Sequence, residues 1–339
     1  MNIGSKWRGV NLGGWLVLEK WMTPSLFAGL VARDEYSFCK ELGRDASEIL
    51  RIHRENFITE ADFRWMAAHG LNAVRIPVGY WIFGHAKPYV GAIEYLDQAM
   101  QWAERYSLAV IIDLHGAPGS QNGRDHSGRR GHIDWDHAEH VAASLRTIRK
   151  LAERYAGKPP LKGIELLNEP STGLRRRIVA KYYREAYDII RRHCGQDVAV
   201  IIPEAVRPRR WRQYLHGDFQ NVLIDTHQYQ STTWLDRRRN FTEHIRRVRK
   251  HRPRVLHRLQ RSHPVIVGEW SAMLPPKAFA GFSDQQIQQA YQDYIALQLQ
   301  VHATVRGWFY WSYKTERGGP WSFRDAYARG LLPANFQNQ

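Results

Sequence analysis

The segment LKGIELLNEP, Leu161 to Pro170, sets an apolar run against an amide, a carboxylate and a proline in immediate succession. Ile164, Leu166 and Leu167 suit a buried strand, whereas Pro170 lacks an N–H and pushes the residue before it toward extended backbone. The pattern predicts that Glu169 stands at the end of a strand. An acid there could be a helix N-cap neighbour, a solvated loop charge or a catalytic group, and the choice falls to the rest of the chain.

Seven further runs repeat the theme of apolar residues ending in polar or aromatic ones. They are WRGVNLGG near 7–14, LNAVRIP at 71–77, LAVIIDLHG at 108–116, VAVIIPE at 198–204, VLIDTHQY at 222–229, PVIVGEW at 264–270 and VRGWFYWS at 305–312, with KGIELLNEP at 162–170 as the fourth in order. Near-continuous Val, Ile and Leu suit strands covered on both faces, as in parallel sheets. Helical patterns lie between them. Thr59 with Asp62 makes a capping-box start for a helix that runs to Gly70, and Asp134 or Asp136 is placed to cap one that ends at Gly157. Residues 174–193, 237–252 and 284–302 read as further crossover helices. Strand then helix, eight times, predicts an α/β chain folded as a (β/α)8 TIM barrel, a single domain over 1–339. A doubly wound sheet would place a Gly-rich phosphate turn after its first strand, and that turn is missing.

The 339 residues are 43% hydrophobic and 12% aromatic, enough for one large core. No stretch approaches the roughly 18 unbroken apolar residues of a membrane span. The N-terminus MNIGSKWRG lacks the apolar run of a secretory signal, which makes a cytoplasmic location the expectation, with a secreted or periplasmic one as the alternative if a signal was removed. Cys39 and Cys194 have no C-x-x-C partners and read as buried free thiols. The formal net charge of +16 is local: residues 174–192 carry seven Lys/Arg against two acids, 207–218 four against one, and 237–261 eleven against one. Solvated helix faces are the plain reading. The sharper one is a positive flank that contacts anionic polymers without specificity. Specific nucleic-acid recognition is not expected, since 237–261 offers only Phe241 for base stacking.

In a barrel the functional face is the ring of strand C-termini. There the sequence gathers Arg75, His115, Asn168 with Glu169, Glu204, His227 with Tyr229, Glu269 with Trp270, and Trp311. Two carboxylates on strands four and seven, among donors and aromatics, fit glycoside cleavage: one acid for the leaving oxygen and one carboxylate for the anomeric carbon. Aromatic faces suit sugar rings. Taken singly, His115 reads as a hydrogen-bonded core histidine, Arg75 as an ion-pair partner and Glu204 as structural. DHSGRRGHIDWDHAEH holds four histidines, but their spacings match no familiar ligand pattern, and neither metal nor cofactor is expected. Walker, G-x-S-x-G and H-E-x-x-H motifs are absent from the sequence.

The segments RGVNLGGWLVLEKWMTPSLF, GLNAVRIPVGYWIF, IDLHGAPGSQNG, GIELLNEP, VGEW and WFYWSYKTE together resemble the exo-β-1,3-glucanase branch of glycoside hydrolase family 5, from about residue 7 to 325. The resemblance implies a retaining β-glucosidic hydrolase acting on β-1,3-glucan or related β-glucosides, with Glu169 as acid/base and Glu269 as nucleophile. It further implies that Asn168 binds the 2-hydroxyl, that Arg75 and Tyr229 hold Glu269 ionised, and that His115, His227, Glu19 and Trp311 wall the subsite for the non-reducing glucose. An acid beside a second carboxylate is then expected to stay protonated, and retention requires the two carboxyl groups about 5–5.5 Å apart. The chain departs from the fungal members at Arg124 and Thr232, where they carry the two Phe that grip the second sugar. Trp135, Trp234 and Trp321 are candidates to replace that stacking. The alternatives are a β-1,6 or β-1,4 linkage, or a barrel that binds glycan without cleaving it.

Overall fold

A computed structural model describes residues 6–204, 219–334 and 336 of the chain. Eight parallel strands close into a barrel in chain order: β1 Trp7–Asn11, β2 Ala73–Gly79, β3 Ala109–Gly116, β4 Leu161–Glu165, β5 Ala199–Pro203, β6 Val222–Gln228, β7 Val265–Trp270 and β8 Gly307–Tyr310. β8 pairs back onto β1, with Val10 opposite Tyr310, so no edge is left unpaired. The outward residues of the strands, among them Val74, Ile112, Leu114, Ile164 and Val200, pack against the surrounding helices in the main core.

Inside the barrel the two-residue period of a strand stacks side chains in layers. The lower interior is apolar, built from Trp7, Ala73, Ile111, Ile201, Leu223, Ile266 and Phe309. Two residues further along, the same faces carry Arg75, Asp113 and Asp225. Another step on β3 and β6 reaches His115 and His227. Apolar residues therefore plug the bottom, and charge accumulates only toward the strand C-termini.

Thr59 and Asp62 form the expected capping box for the helix Glu60–Ala68. The expected Asp134 or Asp136 cap does not form: helix Ala138–Tyr155 starts from His137 with no side-chain cap, because the Asp136 carboxylate is taken by Arg175, whose backbone N (2.9 Å) and Nε (2.7 Å) both donate to it. Two of the basic segments lie on the crossovers that follow β4 and β6, as helix Arg176–Cys194 and as helices Phe241–Arg246 and Arg252–Gln260 joined by the π turn Arg247–His251. The third, 207–218, lies outside the described residues. No helix among those described is long and apolar enough to cross a membrane.

Candidate active site

The site is built on Arg75, whose side chain is fully buried in the barrel axis. Its Nε donates to Glu165 Oε2 (2.8 Å), Nη1 to Asn11 Oδ1 (2.9 Å) and Glu269 Oε1 (3.1 Å), and Nη2 to Asn168 Oδ1 (2.9 Å), with Asp113 Oδ2 at 3.1 Å. The planar fork thus fixes groups from β1, β3, β4 and β7 at once. Burial alone would lower its pKa, but Asp113, Glu165 and Glu269 push it well above the ordinary arginine value. Replacing Arg75 with Ala is expected to cost about 3–5 kcal/mol, because buried carboxylates lose their counter-ion. Urea unfolding measures this, and Arg75→Lys should recover only part of it, since an ammonium cannot bridge the same partners.

Glu269 is delivered by a register shift between β6 and β7, where His227 faces Glu269 although Asp225 faces Ile266. The shift needs Gly268. Its N–H donates to Asp225 Oδ1 at 2.6 Å, and a Cβ there would stand 1.9 Å from Asp225 Oδ2. Tyr229 Oη then donates to Glu269 Oε2 at 2.6 Å.

Glu169 departs from the expected strand end. β4 stops at Glu165, and Glu169 lies four residues beyond it with φ = 42°, in the left-handed region and not extended as Pro170 suggested. Tertiary hydrogen bonds hold this strained backbone. Asn168 N–H donates to Leu114 O (3.0 Å), Gln121 Nε2 to Asn168 O (2.9 Å) and Asn122 Nδ2 to Glu169 O (3.1 Å). The β3 loop therefore positions the acid as much as β4 does.

Between the two acids sits His227. Its Nδ1 lies 2.7 Å from Glu169 Oε1 and 3.3 Å from Glu269 Oε2, and its Nε2 lies 3.3 Å from Asp225 Oδ2. One carboxylate oxygen of Glu169 and one of Glu269 lie within 4.8 Å of each other. Glu169 keeps 34% of its side chain exposed to the pocket, against 6% for Glu269. Glu165, Asp225 and His227 form a second group close enough to surround a cation, as do Glu169, His227 and Glu269. In both, Arg75 or Tyr229 already engages carboxylate oxygens.

The two acids shift in directions opposite to the expected ones. Burial, the largest influence on Glu269, lifts its pKa above the ordinary 4.5, while His227 and Arg75 pull it back only in part. Burial would lift Glu169 too, but the His227 hydrogen bond and the His227 charge, with smaller contributions from His126 and His115, outweigh it and hold Glu169 low. Burial disfavours the His227 imidazolium, yet Glu269, Asp225 and Glu169 push its pKa well above 6.5. In the resting trio these directions favour a charged His227 beside an ionised Glu169.

These groups open into a cavity of about 910 Å³ that Glu19, His115, Asn168, Glu169, His227, Tyr229, Glu269 and Trp311 line, and Arg75 lies behind the wall, hydrogen-bonded to Glu269 and Asn168. Every predicted site residue is therefore brought together. Trp311 lies parallel to His115, ring centroids 5.4 Å apart, and Trp21 Nε1 donates to Glu19 Oε2 at 2.8 Å. Glu204, expected to be structural, also lines the cavity and accepts a 2.6 Å bond from Thr226 Oγ1. His126 is a wall residue absent from the predicted set. Arg124 and Thr232 face the same space. Of the three tryptophans, Trp321 lines the pocket against Tyr229 and Trp21. Trp135 is buried, donating to Ser144 Oγ, and cannot meet a sugar. Trp234 is 63% exposed, with Arg238 over its ring at 4.0 Å.

Comparison with known proteins gives the family of the chain. The family model described as cellulase (glycosyl hydrolase family 5) matches residues 43–317. The chain is 36% identical over 378 residues to the probable glucan 1,3-beta-glucosidase A of Emericella nidulans, covering 98% of this chain and 91% of that one. It is also 36% identical over 377 residues to the glucan 1,3-beta-glucosidase of Blumeria graminis, covering 97% and 87%. Its fold is similar to that of rutinosidase from Aspergillus niger, with a TM-score of 0.81 at 22% identity over 97% and 98% of the two chains. The chain belongs to glycoside hydrolase family 5 and is a glycoside hydrolase.

Proposed function

We propose that the protein, as one barrel domain spanning the chain, removes glucose from the non-reducing ends of β-1,3-glucan or related β-glucosides with retention of configuration. The separation of Glu169 and Glu269 carries this reading: oxygens within 4.8 Å leave no room for the water that an inverting enzyme holds between carboxyl groups roughly 6.5–9.5 Å apart. Glu269 attacks the anomeric carbon as the glycosidic bond breaks, and Glu169 gives its proton to the departing oxygen. Water then attacks the glycosyl ester, losing a proton to Glu169 and freeing Glu269. Asn168, fixed through its Oδ1 by Arg75, exchanges its long contact to His115 (3.4 Å) for an N–H donated to the 2-hydroxyl, and Trp311 supplies an apolar face.

Proton NMR of the first product tests the stereochemistry: β-glucose appears before mutarotation, whereas α-glucose as first product would rule out retention. Product profiles on β-1,3, β-1,4 and β-1,6 oligosaccharides test the linkage. A linkage other than β-1,3 is the second reading, favoured by Arg124 and Thr232 in the entrance where an aromatic pair is missing.

The pKa directions set the pH profile. Rate requires Glu269 ionised, and its pKa is raised, so the acid limb of kcat/KM is expected above pH 4.5. Rate also requires the proton shared by Glu169 and His227, and the imidazolium is stabilised, so the alkaline limb is expected above 6.5. Initial rates on an aryl β-glucoside across pH check both, and an acid limb at or below 4.5 contradicts the assignment.

On the basic flank, Arg246, Arg249, Lys250, Arg254 and Arg258 are exposed and form no ion pair with described residues. Contact with anionic polymers through this face predicts retention on heparin that falls steeply with salt. Retention independent of ionic strength would exclude it.

A further inference from the structure

His126 stands in the short turn Asp125–Ser127 of the loop that follows β3. Its Nε2 lies 3.4 Å from Glu169 Oε2, and its Nδ1 lies 3.5 Å from Asn168 Nδ2. The ring meets His115 edge-on with centroids 5.3 Å apart. Glu169 is therefore bracketed by two imidazoles, His227 at Oε1 and His126 at Oε2.

The tautomer follows from the neighbours. Asn168 Oδ1 accepts from Arg75 Nη2, which turns the amide nitrogen toward His115 and His126. An amide nitrogen only donates, so His126 Nδ1 must accept and Nε2 must carry the hydrogen. Nε2 is the ring nitrogen nearest Glu169, 3.4 Å from Oε2, close enough to act on that oxygen but not aligned as a hydrogen bond in the resting site. Burial is the main influence on His126 and holds its pKa down to about 4, with Glu169 and Asp125 opposing and His115 and Arg124 reinforcing. At neutral pH it is a neutral donor. A donor–acceptor distance of 3.4 Å is long, as catalytic hydrogen bonds often are before substrate binds.

We propose that His126 is a positioning residue for the acid/base: by donating to Oε2 it leaves Oε1 as the oxygen that carries the catalytic proton. This rests on the assignment of Glu169 as acid/base. Oε1 is the oxygen His227 Nδ1 reaches at 2.7 Å. As the sugar enters, the His227 Nδ1–H bond breaks, an O–H forms on Glu169 Oε1, and His227 is left neutral with Nε2–H facing Asp225. The proton then passes from Oε1 to the glycosidic oxygen as the C–O bond breaks. Without His126 either oxygen can take the proton, and the anion of Glu169 loses one of its two imidazole donors.

The test compares full-length wild type with His126→Phe, which cannot donate, and His126→Asn, which can donate through an amide. A carbon-13 titration of labelled Glu side chains, with Glu169 assigned from a Glu169→Gln spectrum, is expected to move the Glu169 midpoint up by about half a pH unit in His126→Phe and by less in His126→Asn. In kinetics, kcat/KM of His126→Phe is expected to fall about fivefold further on a β-linked disaccharide than on 2,4-dinitrophenyl β-glucoside, whose leaving group needs little protonation. An unmoved Glu169 midpoint, or an equal loss on both substrates, overturns the proposal. Thermal melting screens the variants for folding, and His126→Asn is read in place of a Phe variant that fails to fold. If the wild type cleaves no β-glucoside, the function proposed above fails, while the titration still decides whether His126 acts on Glu169.

Discussion

Glu269→Gln is expected to lower kcat/KM on an aryl β-glucoside by ~10⁴-fold or more while leaving the fold intact. The neutral amide cannot form the glycosyl ester, so the loss falls on the step that breaks the glycosidic bond. It also meets the wrong neighbours. Arg75 Nη1 and Tyr229 Oη both donate to the carboxylate, one to each oxygen, and an amide nitrogen in either place turns an acceptor into a donor. Because the side chains are isosteric, the melting temperature should move only slightly. With a 2-deoxy-2-fluoro-β-glucoside, which slows hydrolysis of the intermediate, the wild type should gain the mass of one fluoroglucosyl group on the peptide that contains Glu269. Residual activity within tenfold of wild type, or label on another residue, removes Glu269 from the nucleophile's role.

The barrel was legible because its strands are near-continuous Val, Ile and Leu runs that end in polar residues, and because Thr59 with Asp62 marks a helix start by local chemistry alone. Strand ends were less so. LNEP reads as a continuation of the strand, yet the chain leaves β4 at Glu165 and turns through a positive φ at Glu169. That turn is imposed by Asn122 and Gln121, some fifty residues away, and no local pattern reports such bonds. The pairing of Glu169 with Glu269 does not depend on that strand end, since the loop still brings an oxygen of each within 4.8 Å of the other.

The layer beneath the mouth left a signal that was not used. Asp113 and Asp225 stand two residues before His115 and His227, and the strand period puts each pair on the same inward face. A charge in the middle of an otherwise apolar run is costly unless paired, and Arg75, beside Asp113 on the next strand and across the barrel from Asp225, is the partner that the pattern demands. The division of protons was beyond the sequence. Which of Glu169, His227 and Glu269 holds the proton depends on separations of 2.7 and 3.3 Å and on unequal burial. Glu204 and His126 belong to the same class. Glu204 stands where the strand run put it, directly after β5, and only its exposure to the cavity was not legible; His126 sits in a segment with no recognisable motif, and its loop brings it to the wall.

Glu169→Ala separates the two carboxylates by role. It is expected to lower kcat/KM by about 10²–10⁴-fold on a disaccharide and far less on 2,4-dinitrophenyl β-glucoside, because a good leaving group departs without the proton. With such a substrate the glycosyl ester on Glu269 should form quickly and break down slowly, since no base remains to activate water. A burst of dinitrophenol followed by a slow steady rate reports that intermediate. Azide needs no general base and fits the space left by the missing carboxyl, which in the native side chain is one-third exposed to the pocket. It should restore turnover and yield β-glucosyl azide, the net result of two inversions. The same azide given to Glu269→Ala attacks the substrate directly, and one inversion yields the α-azide. Opposite anomers from the two variants fix which carboxylate attacks and which transfers the proton. The same anomer from both would contradict a double displacement through Glu269.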